Sequence, residues 1–315
     1  MSQMIDILIP VFNCEKWIED CLNSLKEQTD KNFEVILIDD GSTDNSLKVC
    51  NKYKEICSMK IYSRSNKGVT YTRNELVSLS KGEYFLFLDS DDILSKDTIE
   101  ILNNLIAEEN LDAIIYDVMQ FYKSKDLESD DKYLIEKYPQ TEIIKDYLIL
   151  KRRGYIAGIL FNKNKWKEIN NKFVIEKYIE DWYPVYYYMY NCNEIKYVHK
   201  YLYFYRQIET SAISNTGMEV INNYALARNT IFTYTVNQHD DFFNKYLDCF
   251  NVKTDLDIAH EVSKIYTGSV FLKEIKKMSC CKTKIIKVLG NQFLTNKEKI
   301  KYILIIFHIY TLMKK

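Results

Sequence analysis

The sequence predicts an α/β protein with a mainly parallel sheet and a helical C-terminal region, on three observations. Over roughly the first 120 residues, short apolar runs alternate with amphipathic helical patterns, which signals βαβ units. The second and fourth of these runs end directly in clusters of aspartate. From Met218 onward only helical periodicity remains. With 315 residues and 47% hydrophobic content, the chain can bury one sizeable core and a second small one.

Residues 5–11 read as the first strand, with Pro10 ending its ladder and Asn13 expected to cap the helix that follows. Trp17, Ile18, Cys21, Leu22 and Leu25 recur at helical spacing and give that helix its apolar face. Residues 33–38 form the second strand, followed at once by Asp39-Asp40-Gly41-Ser42-Thr43-Asp44. A helix over 45–56 and a short strand over 59–62 come next. Asn66-Lys67-Gly68 then breaks the chain before a helix through Arg73, Asn74 and Leu76. Residues 84–88 are apolar throughout and too short for a helix, so they read as a strand buried on both faces. Asp89-Ser90-Asp91-Asp92 follows it. Ile99, Leu102, Leu105 and Ile106 mark the next helix, and 113–116 a fifth strand.

In an open α/β sheet, ligands bind outside the carboxyl ends of the strands, where these aspartates fall. Asp89, Asp91 and Asp92 would repel one another there, and a hard divalent cation such as magnesium or manganese would relieve the cost. The competing reading is a turn whose aspartates cap the next helix. Spacing alone leaves both open. The dinucleotide fingerprint and the Walker A loop are both missing after the first strand, which disfavours a dehydrogenase or a P-loop enzyme.

Charge adds a second contrast. The formal net charge of -1 gives no reason to expect nucleic acid as a partner. Residues 271–315 nevertheless carry 11 Lys against 2 acids, leaving 32 bases against 42 acids in the first 270. The 8 Cys show no C-x-x-C pair, and nothing resembling a signal peptide precedes the first strand. Reduced thiols and a cytoplasmic location are the expectation.

Taken together, Ile9-Pro10-Val11-Phe12-Asn13, the Asp39–Asp44 stretch, Asn66-Lys67-Gly68 with Arg73-Asn74, Gly82-Glu83-Tyr84 running into Asp89-Ser90-Asp91-Asp92, and Glu180-Asp181-Trp182 resemble the inverting family 2 glycosyltransferases of the GT-A fold. The resemblance implies a nucleotide-sugar donor, most simply a UDP-sugar, and a divalent metal, Mn2+ or Mg2+. Pro10, Phe12 and Asn13 would lie along the nucleotide, and Asp40 would accept a hydrogen bond from uracil. Arg73 would sit near the diphosphate, against an alternative as a solvated helix arginine. Asp91 would hold the metal, while Asp89 and Ser90 contact the donor, with Asp89 shared with the metal. Asp92 would cap a helix or support the others. The nucleotidyltransferase alternative normally carries a glycine-rich basic loop after the first strand, unlike Pro10-Val11-Phe12-Asn13. A catalytically silent sugar-binding protein would be expected to lose its carboxylates.

The resemblance divides the chain into 1–215, a catalytic domain with its nucleotide-sugar half at 1–120 and its acceptor half at 121–215, and a helical region at 216–315. Residues 123–137 are charged and glycine-free and read as a solvated insertion or lid. Asp181 takes the place of the family's general base, with Glu180 beside it as a diphosphate or acceptor contact. Their alternative is to cap the Tyr-rich helix that follows. Residues 201–206 resemble the family's strand ending in Tyr-Arg, with Ser211 and Ser214 beyond. Arg206 either reaches the diphosphate or forms an ordinary ion pair. His199 reads as structural. The acceptor would be a glycan or lipid-linked saccharide in surface-polysaccharide synthesis. The apolar stretch from Tyr302 through Ile309, Tyr310, Leu312 and Met313 is too short to span a bilayer. Flanked by lysines, it reads as a helix on an anionic membrane face, or as a closing core helix or homo-oligomer contact.

Overall fold

The structure is a computed structural model and describes residues 5–54, 58–122, 132–174, 178–208, 217–278 and 282–307. Expectations for Ser211, Ser214, residues 123–131 of the insertion and the stretch from residue 308 onward lie outside the described residues. The chain divides into two compact units. The first comprises Met1–Gln140, Tyr155–Lys177 and Tyr187–Ser211; the second comprises Thr141–Gly154, Tyr178–Tyr186 and Ala212–Lys315.

In the first unit, β1 (Ile5–Val11), β2 (Phe33–Asp39), β3 (Met59–Ser63) and β4 (Tyr84–Phe87) pair in parallel, in the order β3-β2-β1-β4. The helices between them are α1 (Ile18–Lys26), α2 (Ser46–Tyr53) and α3 (Val69–Leu79). Strand β1 sits where the order reverses, the switch point at which an open sheet leaves a crevice. Every residue of β4 is buried, as its uninterrupted apolar run requires. Asp6 is wholly buried within β1, and its carboxylate accepts the Lys81 and Gly82 amides at 2.7 and 2.8 Å, which fixes the entry to β4.

Beyond β4 the sheet changes character. The antiparallel neighbour of β4 is β8 (Ile159–Asn162), which pairs in turn with β6 (Ala113–Phe121). Strand β9 (Ile195–Arg206) runs parallel to β6. On β9 pair β5 (Ile93–Leu94) and β7 (Leu134–Lys137), both antiparallel. The strand expected over 113–116 runs on to Phe121 because β9 offers it a partner along that length. The two-residue β5 had no pattern to announce it. Residues 134–137, expected in a solvated insertion, instead form β7; its backbone pairs with β9, half-buried Ile135 packs on the core, and Glu136 meets His199 at 2.8 Å. Asn13 does not cap α1: it stands four residues before the cap residue Trp17, with φ at 50°. The helix expected over 45–56 is Ser46–Tyr53, with Asn45 and Lys54 as its cap residues; residues 55–57 lie outside the described residues.

An aromatic cluster backs β4. Phe85 stacks on Phe161 at 5.3 Å, and Trp166 meets Phe85, Phe161 and Tyr188 at 5.4–5.5 Å. Each fully buried ring of this kind contributes about 1.5–3 kcal/mol by burial. Asn74 clasps this region by accepting the Phe173 amide at 3.0 Å and donating to its carbonyl at 2.9 Å.

The second unit is built on α8 (Met218–Asn237) and α9 (Asp241–Ile265), with α10 (Gly268–Lys277), α11 (Ile285–Gly290) and α12 (Asn296–Ile306) packed on α9. Ile221, Ile258, Val262, Phe271 and Ile305 form one buried cluster and Cys249, Val252, Val288 and Tyr302 another. Arg228 and Asp255 form a buried ion pair, and Tyr302 donates to the same carboxylate at 3.2 Å. Among the described residues no helix is long and apolar enough to cross a membrane.

Candidate functional site

Strands β2 and β4 flank β1, so both aspartate clusters arrive at the same edge of the sheet. Asp39 lies opposite Val11, and the Asp40 amide donates to the Val11 carbonyl at 2.8 Å. On the other side, the Leu88 amide donates to the Leu8 carbonyl at 3.1 Å, one residue before Asp89.

Asp40 is nearly sealed. Its carboxylate accepts the Lys67 and Gly68 amides at 2.9 and 2.8 Å and pairs with the Arg64 guanidinium. Gly41 explains how the two loops approach: its φ is +77°, and a Cβ there would lie 2.7 Å from the Asn66 nitrogen. The Asp39–Asp44 stretch and the Asn66-Lys67-Gly68 break are therefore halves of one structure. Asn13 ties in the loop after β1 by accepting the Thr43 amide at 2.8 Å, while its own amide donates to Ser42 Oγ at 2.9 Å. Phe12 is left 50% exposed at this rim, and Tyr71 46% exposed beneath the Lys67 ammonium. Pro10 is half-buried and does not end the ladder, which continues to Val11 opposite Asp39.

Around β4, Arg73 and Asp89 form an ion pair at 2.9 Å. Arg73 is almost wholly buried, which removes the solvated-arginine alternative. Ser90 is half-buried, beside the Cys14 thiol. Asp91 is half-buried, and its carboxylate takes no hydrogen bond from another described residue. Burial, reinforced by the neighbouring Asp89 charge, pushes its pKa up to about 6 despite the pull of Arg206 and Arg73. Asp92 is fully buried, accepting Tyr203 Oη at 2.6 Å and the Arg206 amide at 2.7 Å. Burial, with Asp91 and Asp89 close by, drives its pKa well above the usual carboxylate range. It anchors β9 to the acidic loop rather than capping a helix.

Arg206 adopts the ion-pair arrangement, with Nη2 2.8 Å from Asp20. Its guanidinium lies 4.7 Å from the ring centres of both Trp17 and Phe121, and Nε donates to the Asp91 carbonyl at 2.8 Å. Through that last bond it holds the Asp91 backbone in place.

The donor set suits a divalent cation. Asp91 offers a half-buried carboxylate with no partner in another described residue and Asp89 next to it, and both would offer hard oxygen. Among the described residues no group of three or more His, Cys, Asp or Glu side chains forms a ready-made cage. A cation here would complete its shell with oxygens from a bound ligand or water.

Glu180 and Asp181 belong to the second unit. Ile179 before them has φ at 60°, and the Asp181 carbonyl accepts the Val185 amide at 3.0 Å, so Asp181 immediately precedes α7 (Trp182–Tyr190). Glu180 is buried and Asp181 half-buried. Trp182 is locked against Tyr224 and Phe250, ring centres 4.9 and 5.8 Å away, and only glycine fits at position 154, where a Cβ would meet Trp182 Cδ1 at 2.2 Å.

Four residues that matter to this geometry escaped sequence reasoning: Arg64, Tyr203, Asp20 and Trp17. Arg64 stood two places before the Asn66-Lys67-Gly68 break, and its partner Asp40 is 24 residues away. Tyr203 was hidden among many tyrosines, and Asp20 and Trp17 read simply as part of α1 and its start.

A sheet with the order β3-β2-β1-β4, acidic loops on both sides of β1 and a mixed far half defines a GT-A glycosyltransferase fold. The chain belongs to glycosyl transferase family 2, whose sequence profile matches residues 6–167. It is 26% identical over 298 residues to the cholesterol galactosyltransferase of Borreliella burgdorferi, covering 90% of this chain and 82% of that one. It is 36% identical over 117 residues to the glycosyltransferase GlyG of Streptococcus pneumoniae, covering 36% of this chain and 39% of that one. The chain thus spans only 39% and 32% of the pneumococcal relatives GlyG and GlyA. Among solved structures it resembles S. aureus TarS 1-349 in complex with UDP, with TM-score 0.69, 18% identity, and coverage of 97% of this chain and 88% of that one. It also resembles a mannosyltransferase of Pyrobaculum calidifontis in complex with GDP-Man and Mn2+, with TM-score 0.55, 12% identity, and coverage of 99% and 88%.

Proposed function

We propose that this glycosyltransferase moves a sugar from a nucleotide-sugar, a UDP-sugar in the first instance, to a hydroxyl of a glycan or lipid-linked saccharide. The observation that carries the reading is the half-buried Asp91 carboxylate, without a partner in another described residue and raised to about 6, beside the Arg73–Asp89 pair. Keeping a charge in that condition costs stability, and it makes sense where a cation and a diphosphate bind. Asp91 and Asp89 would hold Mn2+ or Mg2+, which supplies stabilisation of the negative charge growing on the leaving diphosphate. Arg73 faces that same region with a guanidinium suited to phosphate oxygens. The exposed Phe12 ring, with Pro10 and Asn13, supplies a wall for the base, and Ser90 a hydroxyl for the donor.

In this reading Asp181 takes the proton of the acceptor hydroxyl as that oxygen attacks the anomeric carbon. The bond from that carbon to the diphosphate breaks, its electron pair leaving with the diphosphate, so one displacement inverts the anomeric configuration. Glu180 would assist at the acceptor or diphosphate, and Arg206 acts by holding the Asp91 backbone. The UDP preference draws support from TarS, whose complexes contain UDP and UDP-GlcNAc. A role in surface-polysaccharide synthesis draws support from lower-coverage relatives that include a chondroitin synthase and a hyaluronan synthase of Pasteurella multocida. We place the activity at the cytoplasmic side, where nucleotide-sugars are made.

The test is a panel of nucleotide-sugars incubated with the protein and Mn2+ or Mg2+, scored for release of nucleoside diphosphate without acceptor. Cation-dependent release from one donor is the expected result. No release or binding for any donor would remove the reading.

A further inference from the structure

The second unit has a cavity of its own, about 520 Å³ in volume. Its walls come from three places: Arg153 after α5 (Gln140–Leu148), one face of α9, and the first turns of α12. On α9, Lys253, Asp257 and His260 fall at helical spacing and so share that face. On α12, Lys297, Glu298 and Lys301 lie just inside the helix N-terminus. Four permanent cations therefore line the cavity against two carboxylates.

Both carboxylates are already committed. Asp257 pairs with Arg153 at 2.9 Å and accepts Tyr224 Oη at 2.8 Å. Glu298 closes the capping box of α12, accepting the Thr295 amide at 2.7 Å, and lies 3.7 Å from Lys253. The Lys297 and Lys301 ammonium groups have no hydrogen-bond or ion-pair partner among the described residues. The positive end of α12 adds to the field they create. Unpaired like charges facing one concave space repel, and an anion bound there removes the repulsion.

We propose that this cavity is an anion site for a phosphate group carried on a saccharide-sized molecule. Lysines act as point charges around a compact polyanion. The volume far exceeds a bare phosphate and matches that of an open cleft able to hold a small molecule. The phosphate can be that of a soluble sugar phosphate or of a phosphorylated lipid headgroup, and the experiment separates the two. The proposal stands apart from the donor chemistry, since none of its residues lies in the acidic loops.

The test uses the full chain in EDTA, which keeps divalent cations out of the measurement. Binding of inorganic pyrophosphate and of glucose 1-phosphate is followed by calorimetry, and binding of phosphatidylcholine vesicles with and without phosphatidic acid by sedimentation. A Lys297→Gln/Lys301→Gln variant is compared with Lys273→Gln/Lys276→Gln, which removes the same charge from α10 outside the cavity. Circular dichroism checks that both remain folded. Saturable pyrophosphate binding, weakened about tenfold or more by the first pair alone, supports the site. Glucose 1-phosphate binding with the same dependence identifies a soluble phosphate; phosphatidic-acid vesicle binding with that dependence identifies a lipid one. Equal losses in both variants, or no saturable binding of any probe, overturns the proposal. Asp91→Asn is expected to leave the pyrophosphate result unchanged, so this outcome is read independently of the donor site.

Discussion

The Tyr203 hydroxyl donates to Oδ2 of Asp92 at 2.6 Å and accepts the Asp89 amide at 3.1 Å, so one phenol on β9 fixes both ends of the acidic loop. A Tyr203→Phe change removes a donor from a fully buried carboxylate and a partner from a backbone amide. The expected cost is about 1–3 kcal/mol in urea unfolding, because a buried acceptor loses its bond. Activity falls as well, through a loop less well held. Unchanged stability would mean that water replaces the phenol.

Asp91 predicts opposite effects on stability and function. Its pKa of about 6 in the fold lies above the ordinary 3.8, so the folded state binds its proton more tightly than the unfolded chain does. The charged form therefore destabilises the fold above pH 6, and that penalty fades as pH falls toward 4. Asp91→Asn is expected to raise stability by about 1–2 kcal/mol at pH 8, less at pH 5, while abolishing cation-dependent donor hydrolysis. A melting series across pH, with and without Mn2+, checks both halves. Wild-type protein should gain thermal stability from Mn2+ at pH 7.5 and lose that gain as pH drops through 6.

Asp181→Asn separates proton transfer from donor binding. Transfer to acceptor should fall by about 10²–10⁴-fold, while UDP binding measured by calorimetry stays within twofold of wild type. Transfer at the parent rate would leave Asp181 as no more than the residue that opens α7.

Gly41→Ala tests whether the loops after β2 and β3 need their close approach. The new Cβ meets the Asn66 nitrogen at 2.7 Å in a left-handed backbone conformation, so the Asp40 loop must shift. Stability is expected to drop by about 1–3 kcal/mol and the KM for the donor to rise more than kcat falls.

In the second unit, Arg228→Ala leaves the Asp255 carboxylate buried without its cation. A loss of about 3–5 kcal/mol is expected, checked by thermal unfolding. Replacing Arg228 and Asp255 together with Met and Leu should recover much of it.

Much of the first 120 residues was legible in the chain because its signals are local. An apolar run too short for a helix, as at 84–88, is a buried strand in nearly any context, and aspartates that follow it directly must emerge at its carboxyl end. That is enough to specify a parallel α/β sheet and to nominate Asp89 and Asp91. Pairings across long separations left no such trace. Arg206 meets Asp20 across 186 residues, Tyr203 meets Asp92 across 111, and β7 pairs with β9 with its Glu136 meeting His199 across 63. Sequence thus determined the strand–helix order of the first 120 residues and which carboxylates follow β2 and β4. Tertiary packing alone decided which charges are neutralised and which, like Asp91, are half-buried without a partner in another described residue, because burial and distance exist only once the chain has folded.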